Sequence, residues 1–149
     1  MRKTKQILAL AFAACVVGAH SADSSPSEPA SSWQAQAQKE IKANNYSGAI
    51  STLDAANQSN SADWNNLLGY ALRKKSPPDL AAAERFYLAA LKIDPKHRGA
   101  LEYYGELLLM KNDLAGAEQM LARLDKACVF SCEEFRDLKE AIARFKSKK

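Results

Sequence analysis

Three alanines set the frame of this chain. Ala49, Ala83 and Ala117 follow one another at intervals of 34 residues. Four residues on from each lie Leu53, Tyr87 and Leu121, and seven on lie Ala56, Ala90 and Leu124. Apolar residues at these steps share one face of a helix, so the same amphipathic helix is written three times. Twelve residues before Ala49 and Ala117 stand the small residues Ala37 and Gly105. Before Ala83 the matching small residue, Gly69, lies two residues further off, which places a two-residue insertion in the turn at 75–78. A period of this length marks stacked helical units. One helix pair cannot bury its own apolar face, so neighbours must stack on it. The small residues at Gly69, Gly105, Ala83 and Ala117 let helices approach closely, and the larger ones fill the grooves between pairs.

The intervening residues supply a helix before each repeated one. Helices are expected over 33–44, 48–58, 64–74, 80–93, 99–111 and 114–126, and a last one over 133–145 with Leu138, Ile142 and Phe145 on one face. Their ends carry the usual stops. Asn44 and Asn45 break the first, Lys75-Ser76-Pro77-Pro78 ends the third, Asp79 caps the fourth, and Asp94-Pro95 ends it. Ser131 followed by Glu134 reads as a capping box for the last helix. No segment alternates as a strand would, so the fold class is all-α.

These residues resemble the tetratricopeptide repeat (TPR), whose pattern is W-x2-L-G-x2-Y followed by A-x3-F-x2-A-x4-P. The third copy matches through Leu101, Tyr104, Gly105, Leu108, Ala117, Leu121 and Leu124. The second matches through Leu68, Gly69, Leu72, Ala83, Tyr87, Ala90 and Pro95, and the first through Trp33, Ala37, Ala49, Leu53 and Ala56. The resemblance implies an α-solenoid of about three TPR helix hairpins plus a C-terminal capping helix. The repeats would cover about 32–61, 62–97 and 98–130 and the cap 133–145, making a TPR domain over 32–146 with a tail at 147–149. It also implies a concave groove lined by the first helix of each pair, with a protein or peptide as partner. Carried over position by position, the candidate groove residues are Gln34, Gln38, Asn66, Tyr70, Arg73, Glu102 and Glu106. The best-known version of the fold clamps a C-terminal carboxylate with Lys, Asn and Arg. Those places hold Gln34, Gln38, Leu67, Gly99 and Tyr103 here, so that ligand is not expected. Trp33, Trp64, Tyr103 and Tyr104 sit at spacings typical of core between stacked helices.

The N-terminus has a different layout. Arg2, Lys3 and Lys5 precede an uncharged apolar run over 7–18, and small residues follow. This is the pattern of a secretory signal peptide over 1–22, too short to span a bilayer. Residues 23–31 are rich in Ser and Pro and read as a disordered linker. An alternative is that Phe12-Ala13-Ala14-Cys15 acts as a lipidation signal, which would make this a lipid-anchored envelope protein and give it membrane contact through Cys15. Of 21 basic residues three lie in the leading segment, and all 17 acidic ones lie after it. The remainder is therefore close to neutral, and the basic pI of about 9.0 gives no support for nucleic-acid binding. Export leaves Cys128 and Cys132, an even pair, which favours a disulfide.

No residue set suggests catalysis or a bound cofactor. His97, the one histidine after residue 22, lies between Lys96 and Arg98 in a turn and reads as a solvated linker residue. No Ser/His/Asp set, phosphate loop or metal cluster assembles around it. The expected function is a non-enzymatic, periplasmic or secreted interaction module that binds a protein or peptide. The alternative is a redox or copper-handling accessory protein acting through Cys128 and Cys132.

Overall fold

Five helices of this protein begin where a side chain accepts a free backbone amide three residues on. Asn45 accepts from Gly48, Ser61 from Trp64, Asp79 from Ala82, His97 from Ala100 and Asp113 from Gly116, all at 2.8–3.2 Å. Each such cap stabilises a helix by about 1 kcal/mol. The computed structural model describes residues 32–148. The expectations for 1–22, Cys15 and 23–31 lie outside the described residues, as does Lys149 of the tail.

Seven helices follow in order: α1 (Ser32–Lys42), α2 (Tyr46–Ala56), α3 (Ala62–Lys74), α4 (Leu80–Ile93), α5 (Arg98–Met110), α6 (Leu114–Ala127) and α7 (Glu133–Lys146). No strand occurs among the described residues. The described residues are all-α, three antiparallel hairpins and a closing helix. In the first and third hairpins the turn uses an asparagine in the left-handed conformation, Asn44 (φ 56°) and Asn112 (φ 65°). Asparagine tolerates that region better than most residues. The next residue, Asn45 or Asp113, then caps the second helix. α2 therefore starts at Tyr46, before the Gly48 expected from the sequence, and stops at Ala56 because Asn57 turns left-handed (φ 48°).

The core is continuous from hairpin to hairpin. Ala37, Leu53, Trp64 and Leu68 form its first cluster, Ala83, Tyr87 and Leu107 a second, and residues from Ala90 through Leu138 and Ile142 a third. Each cluster draws on adjacent hairpins, as stacking requires. The small-residue positions of the repeat work as close contacts. A Cβ on Gly69 would stand 2.8 Å from the Tyr87 ring, within the α3–α4 pair. A Cβ on Gly105 would stand 2.6 Å from Leu138. Gly105 thus makes room for α7 rather than for its own partner α6.

α7 packs on both α5 and α6. Leu138 and Ile142 are buried, and Phe135 and Phe145 pack around them. The Ser131–Glu134 capping box does not form. Cys132 occupies the cap position without a side-chain hydrogen bond, and Glu134 instead reaches Arg98 on α5 at 3.6 Å. Cys132 is bonded to Cys128 at the end of α6, with S–S 2.02 Å and Cα–Cα 5.8 Å. The bond joins the last hairpin to the closing helix. Between the two cysteines Val129 and Phe130 are 89% and 87% exposed.

Candidate groove

The first helices of the hairpins, α1, α3 and α5, lie side by side, and α7 takes the next place beside α5. Side chains one turn apart on α3 meet side chains one turn apart on α5, all in one register. Asn66 lies over Gly99, Tyr70 against Tyr103 with ring centroids 4.7 Å apart, and Arg73 on Glu106 at 2.7 Å. Tyr46, at the start of α2, extends the aromatic row, 6.4 Å from Tyr70. The ladder of half-buried tyrosines therefore crosses all three hairpins.

Arg73 holds the centre of this strip. It is 7% exposed. Its guanidinium donates to the Tyr87 hydroxyl at 3.3 Å, pairs with Glu106, and stands 5.5 and 5.6 Å from the Tyr70 and Tyr103 ring centroids. Burial alone would disfavour its charge, but Tyr87 and Glu106 more than offset that. Burial also pushes the phenols of Tyr87, Tyr103 and Tyr70 above their ordinary range. They stay neutral donors at any physiological pH.

Glu102 is the unusual group. It is 7% exposed, and its carboxyl is pushed up to about 8. Burial is the larger cause, and the neighbouring carboxylates of Glu106, Asp137 and Glu134 add to it. Asn66 is 6% exposed, and its Oδ1 has no hydrogen-bond partner among the described residues. Both lie on the strip that runs from α3 across α5 to α7. Gln34 and Gln38 on α1 differ. Gln34 is half-buried and donates to Asp63 at 3.3 Å, and Gln38 is exposed. The structure thus brings Asn66, Tyr70, Arg73, Glu102 and Glu106 together and leaves Gln38 apart from them.

The reading of His97 as a solvated linker is corrected. Its side chain is 14% exposed. Nδ1 accepts the Ala100 amide at 3.0 Å and Nε2 meets Asp63 at 2.9 Å, an arrangement that fits the neutral tautomer with hydrogen on Nε2. Asp63 also receives Gln34, so one carboxylate ties all three hairpins at their rim. The signal was a cap-competent residue three before Ala100, but its partner lies a full repeat upstream. Beside this rim opens a cleft of about 430 Å³, lined by Asp63, His97, Gly99 and Glu134 among others. Trp64 is core. It is 6% exposed and donates from Nε1 to the Leu53 carbonyl at 2.7 Å. Asn65, equally hidden, ties the turn between hairpins through the Ser59 and Ser61 carbonyls, both at 2.8 Å.

No protein-family model and no curated protein matches this sequence. Solved structures do. The type III secretion translocator chaperone SycD of Yersinia enterocolitica matches with TM-score 0.66 and 18% identity, over 78% of this chain and 82% of that one. SycD in complex with a peptide of the translocator YopD matches with TM-score 0.63 and 19% identity, over 78% and 91% of the two chains. The first TPR domain of human RPAP3 matches with TM-score 0.63 and 16% identity, over 78% and 94%. The hairpin stack is therefore a TPR-like α-solenoid.

Proposed function

We propose that this chain is a non-catalytic interaction module that holds a segment of a partner protein in the groove of α1, α3 and α5, with α7 as its far wall. The observation that carries the reading is the tyrosine ladder Tyr46–Tyr70–Tyr103, half-buried and continuous across the hairpins. Such rings offer large contact area and a polar tip, which suits recognition of a peptide chain. The peptide-bound SycD structure shows that a related stack takes a peptide, and supports the same use here. The basic start and apolar run at 1–22 support export to a bacterial envelope as its place of work. In this reading the Cys128–Cys132 bond is a clamp that keeps α7 on the last hairpin.

A photo-crosslinking residue placed at Tyr70 and, separately, at Gln38 tests the proposal in the native cell. Both positions should trap the same partner, and placement at exposed Leu88 on α4 should not. Equal trapping from Leu88, or none from Tyr70, would overturn the groove as the contact surface.

A further inference from the structure

We infer that the α3–α5–α7 part of the groove is a subsite for one cationic side chain, a lysine or arginine of the bound peptide. This rests on the groove reading above and names its partner's chemistry.

The first observation is what surrounds Glu102. No described residue donates a hydrogen bond to it or pairs with it, although it is 7% exposed. The groups facing it from its own helix and from α7 are carboxylates, Glu106, Glu134 and Asp137. Arg73 on α3 is the cation nearest in kind, but its guanidinium is committed to Glu106 and Tyr87. Arg98 turns to Glu134 and is itself half exposed. A shielded carboxyl in a field of like charge lacks one thing, a donor carrying positive charge.

The second observation is independent of charge. Asn66 is 6% exposed and its Oδ1 finds no partner. A buried amide left unsatisfied costs more than the bond it would make. Its carboxamide lies against Gly99, with Nδ2 3.0 Å from where a Cβ there would stand. Gly99 is one turn before Glu102 on the same face of α5, and it lines the open cleft together with the carboxylates of Asp63, Asp94 and Glu134 and the cations Lys96 and Arg98. An unpaired amide oxygen and an unpaired carboxyl are thus set about one helical turn apart beneath the surface, with Gly99 between them and the cleft. That pair matches the main chain and the charged end of one lysine or arginine residue. The neighbouring rings suit the same guest, because Tyr70 and Tyr103 already hold the chain's own Arg73 over their faces.

Random twelve-residue peptides displayed on phage and panned against the purified protein test this. The selected peptides should share a lysine or arginine at one fixed place. Replacing that lysine by norleucine, or making Glu102→Gln in the protein, should each weaken binding about tenfold, and both together no further. Affinity should rise with pH through about 8 as Glu102 ionises, and Glu102→Gln should flatten that rise. The glutamine keeps the shape of the side chain, and the peptide-side change probes the same contact without touching the fold. Peptides that are lost on Tyr70→Ala but carry no basic residue and ignore Glu102→Gln would overturn this inference and leave the groove standing. A panning that selects nothing, or peptides indifferent to Tyr70→Ala, would overturn both.

Discussion

Gln34 and Gln38 on α1 hold the same places in their repeat as Glu102 and Glu106 on α5. The repeat makes these pairs equivalent, yet the fold does not. Gln38 is exposed and Gln34 half-buried, whereas Glu102 is 7% exposed and Glu106 28%. The cause is the number of flanking helices. α5 lies between α3 and α7, and α1 has α3 on one side and no described helix on the other. A groove position is closed off when helices stack on both sides of it. The closing helix is therefore more than an end cover. It turns a solvated acidic position into a secluded one.

The contrast can be broken most severely at α7. Leu138 is fully buried and fills the space over Gly105. Leu138→Ala should cost about 3 kcal/mol by the usual range for buried leucine, seen as a lower denaturant midpoint. It should also let Glu102 titrate closer to an ordinary carboxylate while Gln34 and Gln38 keep their environment.

Next in size is Arg73→Met. It removes the partner of Glu106, which retains some water contact, so the loss should be about 2 kcal/mol rather than the larger cost of breaking a fully buried pair. Methionine keeps much of the packing on Tyr70 and Tyr103, so helix content should be unchanged by circular dichroism. A smaller effect is expected from Cys128→Ser. The bond closes a loop only four residues apart in sequence, and constraining so short a loop contributes on the order of 2 kcal/mol at most. The loss should reproduce on adding reductant to the parent protein. Smallest of all is Gln38→Ala, where a change under about 0.5 kcal/mol is expected for an exposed position. A large loss there would mean the first hairpin's groove is as enclosed as the third.

The repeat, the helices and the Asp79 cap were legible in the sequence, because period and capping are local properties. Asp79 capping α4 needed only its own neighbours. The burial of Asn66, Arg73 and Glu102 was not legible, since it depends on helices one or two elements away. His97 shows the same limit. Its neighbours Lys96 and Arg98 are exposed, and the Asp63 that draws it inward belongs to the preceding repeat. At Ser131 the local capping pattern misled, because the bonded Cys132 holds the cap position instead.

Enclosure of the acidic site by α7 has a direct thermodynamic signature. Glu102 rises from 4.5 to about 8 on folding, so the folded state holds a proton that the unfolded chain releases. Glu102 therefore imposes no penalty below about pH 4.5, a growing penalty between there and about pH 8, and a constant one above. Glu102→Gln should gain stability relative to the parent across that window. The most direct measurement is the Glu102 carboxyl titration itself, followed by carbon NMR in the parent protein and in Leu138→Ala. A midpoint near 8 is expected in the parent, with a clear fall when α7 is loosened. An ordinary carboxylate midpoint in the parent, or one that Leu138→Ala leaves in place, would contradict enclosure by α7.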